Sequence, residues 1–242
     1  MANRKNYQFD LMVSAGHITG HSFNHKFGAV QAMSQNTVGT VWDVNDIIYP
    51  WSALDTPAVV NIKRTDIADN GFEITIQGLD LEYNFIEESI IINGSDTLST
   101  VEFLRVNRAF VTNGGDINTG NIDIEAGAPG GTVVARITAD IGQTLMAVYT
   151  IPAGKTGYMY QGTATAQANA DATGFMMIRY FNQTTFRTGH TFEVEGAGGQ
   201  YQYDFAFPIP IPEKSDIDIR IKTRSNNGRY TAAFDILLVD ND

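Results

Sequence analysis

From residue 72 onward the chain alternates apolar and polar positions in short runs. Phe72-Glu-Ile-Thr-Ile76 puts Phe72, Ile74 and Ile76 on one face of a strand. Gln77-Gly-Leu-Asp80 breaks that run, and a second predicted strand covers Phe85–Ile92. The Asn93-Gly94 pair after it supplies the positive φ that a tight hairpin needs. Val101–Val111 reads as a third strand, followed by short ones at Ile122–Ile124, Val133–Ile137 and Thr144–Ile151. Past Pro152-Ala-Gly154 come Lys155–Thr165, Phe175–Phe181 and Thr191–Val194. Phe205-Ala-Phe-Pro-Ile-Pro-Ile-Pro212 carries alternate prolines, which cannot donate to a central ladder, so it belongs at an edge or in an extended segment. Asp216-Ile-Asp-Ile-Arg-Ile-Lys222 alternates strictly, and Asn226-Asn-Gly228 turns the chain into Tyr230–Val239, a predicted C-terminal hairpin.

Residues 1–50 do not share this pattern. Glycines at 16, 20, 28 and 39 interrupt a segment that carries Phe23, Phe27, Trp42, Tyr49 and, just beyond, Trp51. Large apolar groups are costly to leave in water, so this is no polar linker. Two readings stand: the arm folds back onto its own body, or it docks on a neighbouring subunit. The pattern as a whole predicts an all-β fold, with an extended N-terminal arm (1–50), a first β-sandwich domain (51–151) and a second β-sandwich or jelly-roll-like domain (152–242).

Composition narrows the function classes. With 23 glycines, 14 Phe and 10 Tyr in 242 residues, strands and turns are favoured over helices. The absence of cysteine removes disulfides, thiolate nucleophiles and cysteine zinc sites. No apolar run approaches a membrane span, and the N-terminus lacks the apolar core of a signal peptide. The net charge of −11 is carried by residues 51–242, because Arg4, Lys5 and Lys26 balance Asp10, Asp43 and Asp46 before them. An acidic body argues against nucleic-acid binding, which needs clustered Lys and Arg.

Several constellations look like chemistry and fail on spacing. His17, His21 and His25 recur every fourth residue, but the glycines around them oppose a helix, and on a strand they stand too far apart for one ion. Asp116-Ile-Asn-Thr-Gly-Asn-Ile-Asp123 resembles a calcium loop with its glycine one residue early and no closing glutamate. Gly154-Lys-Thr156 lacks the first glycine of a phosphate-binding loop, since that position is Tyr149. Glu87 and Glu88 are adjacent and point to opposite faces of a strand. Ser22 lies near His21 and His25 without a nucleophile elbow or an orienting carboxylate. No catalytic residue, cofactor site or metal site is assigned, and the chain is not read as an enzyme. Arg105 and Arg108 are expected to be solvated with packed stems, the alternative being an ion pair with a carboxylate on a neighbouring strand or across a subunit boundary.

Segments spread along the chain resemble a family of structural proteins of tailed bacteriophages, common in phages of aquatic bacteria. They are Gly20-His-Ser22, Lys26-Phe-Gly28, Trp42-Asp43, Tyr49-Pro50, Thr75-Ile-Gln-Gly-Leu-Asp80, Tyr83-Asn84 and Phe103-Leu-Arg-Val-Asn-Arg-Ala109. Gln143-Thr-Leu-Met-Ala147, Ile151-Pro-Ala-Gly-Lys-Thr156, Glu213-Lys-Ser-Asp-Ile-Asp218 and Phe234-Asp-Ile-Leu-Leu238 continue the series. The chain departs from the family at Val44-Asn-Asp-Ile47, where a glycine cluster is expected, and between Lys155 and Tyr203. The resemblance implies a virion component made in the bacterial host cytoplasm. Its first reading is a capsid decoration (cement) protein on the capsid exterior: a homotrimer that contacts the major capsid protein and itself and binds neither nucleic acid nor membrane. Phe23, Phe27, Trp42, Tyr49 and Trp51 are the candidate interface anchors, since aromatics dominate interface hot spots. The second reading is a tail, neck or baseplate protein. A separate alternative has the C-terminal domain bind host glycans, with Tyr158, Tyr160, Tyr180, Tyr201 and Tyr203 as stacking platforms.

Overall fold

The computed structural model describes residues 7–115, 117–196 and 199–241. A short helix, α1 (Tyr7–Ser14), precedes the strands β1 (His21–Met33) and β2 (Val38–Thr40). The middle of the chain forms β3 (Val60–Arg64), β4 (Glu73–Leu79), β5 (Phe85–Ile91), β6 (Asp96–Leu98), β7 (Arg105–Asn113), β8 (Ile122–Ala126) and β9 (Val133–Ile137). Then come β10 (Val148–Thr150), β11 (Lys155–Ala166), β12 (Ala172–Arg179) and β13 (Arg187–Val194). The last three are β14 (Gln200–Ile211), β15 (Asp216–Thr223) and β16 (Gly228–Asp240). The fold is all-β, as the alternation predicts.

The strands form two bodies. In the first, a sheet ordered β1-β16-β11-β14 faces a sheet ordered β10-β15-β12-β13, with β2 also paired to β15. Between them lies one hydrophobic core that includes Met33, Met159, Met176, Ile217, Ile221, Tyr230, Phe234 and Ile236. Each strand alternates about this core: β12 buries Ala172, Gly174, Met176 and Ile178 and half-exposes the residues between.

One strand of this body is made of two pieces. β2 pairs Thr40 with Arg220, and β10 takes up the same ladder at Val148 opposite Asp218. Val41 and Ala147 meet side by side between them: Val41 N donates to Ile219 O (2.8 Å), Ile219 N to Ala147 O (3.1 Å), and Ala147 N to Val41 O (2.9 Å). Counting β2 and β10 as one strand, the pairs are first with last (β1·β16), second with seventh (β2/β10·β15), third with sixth (β11·β14) and fourth with fifth (β12·β13). A long antiparallel hairpin rolled into two sheets has this pairing, which is the eight-stranded jelly roll.

Residues 42–146 leave and return through the gap in the second strand and form the other body. Its sheets are ordered β6-β3-β8-β9 and β5-β4-β7. They enclose a separate core that includes Ile62, Ile74, Ile76, Ile92, Phe103, Ile122 and Ile124. Gly28 of β1 lies against the crossing chains: a Cβ there would sit 2.2 Å from Val41 O and 2.5 Å from Ala147 N. Glycine lets three backbones pass this closely.

Four expectations are corrected. Residues 21–50 are not an extended arm, because β1 and β2 are strands of the jelly roll. Their ladder groups need partners, which β16 and β15 supply. Residues 1–6 of the predicted arm lie outside the described residues. The domain limits follow the sheets instead: 21–41 with 147–240, and 42–146. The predicted C-terminal hairpin does not form, since β15 and β16 belong to opposite sheets. Both strands have one apolar face, and the two faces bury against each other across the core, so the 226–228 turn bridges the sheets. Asn93-Gly94 likewise leads from β5 to β6 in the other sheet, while β4 pairs with β5 through the loop at Tyr83. The proline-rich run is an edge strand, β14, bonded only to β11 in its sheet.

Candidate functional site

The outward face of β15 presents Asp216, Asp218 and Arg220, opposite to the core-facing Ile217, Ile219 and Ile221. The inserted body covers this polar stripe, so that Asp216 is 3 % exposed and Asp218 is fully buried. Buried charges persist only when paired and hydrogen-bonded. Asp216 Oδ1 accepts from Arg105 Nε (3.1 Å) and Thr150 Oγ1 (2.6 Å), and its Oδ2 accepts from Arg179 (2.6 and 2.9 Å). Asp218 Oδ1 accepts from Thr40 Oγ1 (2.8 Å), while Oδ2 accepts from Trp51 Nε1 (3.0 Å) and Arg220 Nε (2.8 Å). Arg105 and Trp51 come from the inserted body, so each aspartate joins the two units.

Aromatic rings fill the space around these charges. Trp42, Tyr49 and Trp51 stack edge-to-face with centroids 5.1 and 4.8 Å apart, and Phe186 of the jelly roll closes the row 5.4 Å from Trp51. The guanidinium groups of Arg105 and Arg179 lie over Trp51, and those of Arg179 and Arg220 over Phe186. Burial opposes the Arg105 charge, but Asp216 outweighs it and holds the guanidinium above its ordinary range. Burial also pushes the Tyr49 hydroxyl well above its usual value.

Beside this lock a cleft of about 490 Å³ opens between the bodies, lined by Tyr83, Arg105, Arg179, Phe181, Lys214 and Asp216 among others. The Lys214 ammonium sits 5.1 Å from the Phe181 ring centroid and 5.7 Å from that of Tyr83. Ala153 N donates to Tyr83 O (2.9 Å), which pins the inserted loop to the jelly roll.

On another part of the boundary Lys26 is buried and donates to Asn107 O. Burial, helped by the nearby Arg108 charge, drives its pKa well below the usual lysine value. Arg108 donates to His25 O (2.7 Å) and covers the Phe27 ring. Asp43, where the chain enters the insert, has one oxygen bonded to Thr138 (2.7 Å) and the other without a partner among the described residues; burial raises its pKa to about 6.

The predicted site residues do not gather into one patch. Trp42, Tyr49 and Trp51 are buried in the chain's own core, which corrects their assignment as surface anchors. Phe27 is half-buried, and only Phe23 is exposed, at 39 %, with its edge toward Tyr160. Arg105 is an interior ion pair rather than a solvated side chain; the inserted body covers the strand face that carries Asp216. His25 pairs with Asp235 (2.5 Å), and His21 Nδ1 lies 3.0 Å from Thr19 O. Among the described residues no three His, Cys, Asp or Glu side chains form a metal-sized group. Asp116 of the calcium-like loop lies outside the described residues, and Asp123 is held by Arg136 at 2.6 and 3.0 Å. Glu88 caps the loop at Thr100, and Lys155 pairs with Asp240. The five tyrosines also separate: Tyr201 and Tyr203 stack beside His190, Tyr160 faces Asp10, Tyr180 lines the cleft, and Tyr158 sits in β11 opposite Pro210 and Leu237. The charged stripe of β15 was visible as an alternation, but no signal in the sequence showed that its polar face is covered.

No protein-family model matches the chain, and no curated protein matches it in sequence. Among solved structures it shows a loose likeness to capsid structures of infectious bursal disease virus. Against the structure of the Gx strain the TM-score is 0.28 at 11 % identity, over 91 % of this chain and 72 % of the other. Against the VP2 subviral particle it is 0.23 at 11 % identity, with the same coverage. Superpositions this loose carry no argument about function.

Proposed function

We propose that the chain is a structural protein of a virus particle. On the segments that resemble tailed-bacteriophage proteins, we assign it to capsid decoration, on the outside of the head. The observation that supports this reading best is the architecture: a jelly roll whose second strand opens to hold a complete second β body, locked on by buried ion pairs. Jelly rolls recur in viral capsids and in lectins, so the fold narrows the role without fixing it. In this reading the jelly roll seats on the major capsid protein and on further copies of itself as a trimer, and the insert is carried as a rigid unit. The work is mechanical: apolar area buried across capsomer seams is multiplied over many copies.

The test adds the purified chain to phage heads that lack it. The proposal expects saturable binding at hundreds of copies per head and heads that rupture at a higher temperature. Binding to isolated tails with none to heads would place the chain at the tail, neck or baseplate instead.

A further inference from the structure

The cleft between the two bodies is built from three loops, one from the insert and two from the jelly roll. They carry Tyr83, Asn182 and Lys214, and each of these residues has a left-handed backbone, with φ of 67, 61 and 61°. Such angles are uncommon outside glycine, and for a residue as bulky as tyrosine they are outliers that surrounding structure must hold. Three of the seven non-glycine residues with such angles among the described residues line this one cavity.

Its charge is also distinctive. Arg105, Arg179 and Lys214 face Asp55 and Asp216, so the cleft is net positive in a chain whose net charge is −11. The two arginines are committed to Asp216. Lys214 has no carboxylate partner among the described residues; its ammonium is held between Tyr83 and Phe181 and keeps its donors free. The side chains of Asn182, Gln183 and Thr184 are exposed along the same rim and make no hydrogen bond to the described residues. Phe181, 45 % exposed, adds an apolar surface.

A positioned cation, an exposed ring and unpaired amide and hydroxyl groups are together complementary to a sugar that carries a carboxylate. We infer that this cleft binds an acidic saccharide: the carboxylate accepts from Lys214, the sugar's C–H face lies on Phe181, and its hydroxyls meet Asn182, Gln183 and Thr184. The inference stands whether or not the chain is a virion protein.

Calorimetric titration of the full chain with tetragalacturonic acid tests it, with the methyl-esterified tetramer and inorganic phosphate as controls. The acid is expected to bind, and the neutral ester to bind about tenfold more weakly, the equivalent of one charge-assisted hydrogen bond. Lys214→Met and Phe181→Ala should each weaken the acid to a similar degree. Should either variant fold poorly, wild-type protein gives a second readout: saturating its aromatic protons should transfer to the sugar ring. Absence of binding, equal binding of acid and ester, phosphate bound as tightly as the sugar, or no transfer would each overturn the proposal.

Discussion

Asp218→Asn probes the lock between the two bodies most sharply. Asp218 has no exposed surface, and its oxygens accept from Thr40, Trp51 and Arg220. An asparagine is nearly the same size but accepts at one oxygen only, so its amide hydrogens would face a donor. Removing one partner of a buried ion pair costs about 3–5 kcal/mol. The Arg220 side chain is 12 % exposed, so water recovers part of that, and about 3 kcal/mol is expected. For a chain of this length such a loss lowers Tm by about 6–12 °C. Urea unfolding followed by tryptophan emission is the assay, because the only two tryptophans, Trp42 and Trp51, both stand at this boundary. The double variant with Arg220→Met should cost less than the two single losses added together, since the groups share one network. A loss below about 0.5 kcal/mol for Asp218→Asn, the size of an ordinary surface change, would refute the reasoning.

Three further outcomes follow from the geometry. Asp43 has a folded value near 6 against 3.8 for a free aspartate, so its contribution is full below pH 4 and is lost as pH rises through 6. About 3 kcal/mol should disappear across that window, and Asp43→Asn should flatten this part of a stability-versus-pH curve. Gly28→Ala places a methyl 2.2 Å from Val41 O, and a chemical-denaturation curve should show a loss of about 3 kcal/mol as backbones separate; wild-type stability would contradict the threefold crossing. Deleting residues 1–40 removes β1 and β2 from both jelly-roll sheets and leaves the insert's sheets whole, so amide hydrogen exchange should show β11–β16 unprotected; protection retained in those strands would restore the arm reading.

Much of the fold was legible because strand alternation depends only on neighbouring residues. Ile74 and Ile76, Ile217 to Ile221, and Tyr230 to Leu238 point into cores as their spacing requires. Strand partners are another matter. A run such as 216–239 specifies two strands with apolar faces, but it is satisfied equally by a hairpin in one sheet and by a bridge between two. The first fifty residues hid their role because β1 is irregular in burial and β2 is only Val38–Thr40, half of a strand completed more than a hundred residues later. Trp42, Tyr49 and Trp51 are large apolar groups that need cover. The cover comes from the chain's own junction rather than from a partner. The cleft was illegible for the same reason: Tyr83, Phe181 and Lys214 are distant in sequence and meet only once the insert folds back on the jelly roll.

Splitting purified particles into heads and tails, and quantifying this chain in each by mass spectrometry, tests the central claim most directly. The account predicts hundreds of copies in the head fraction. A few copies confined to tails would contradict the decoration role, and absence from both fractions would contradict the virion reading altogether.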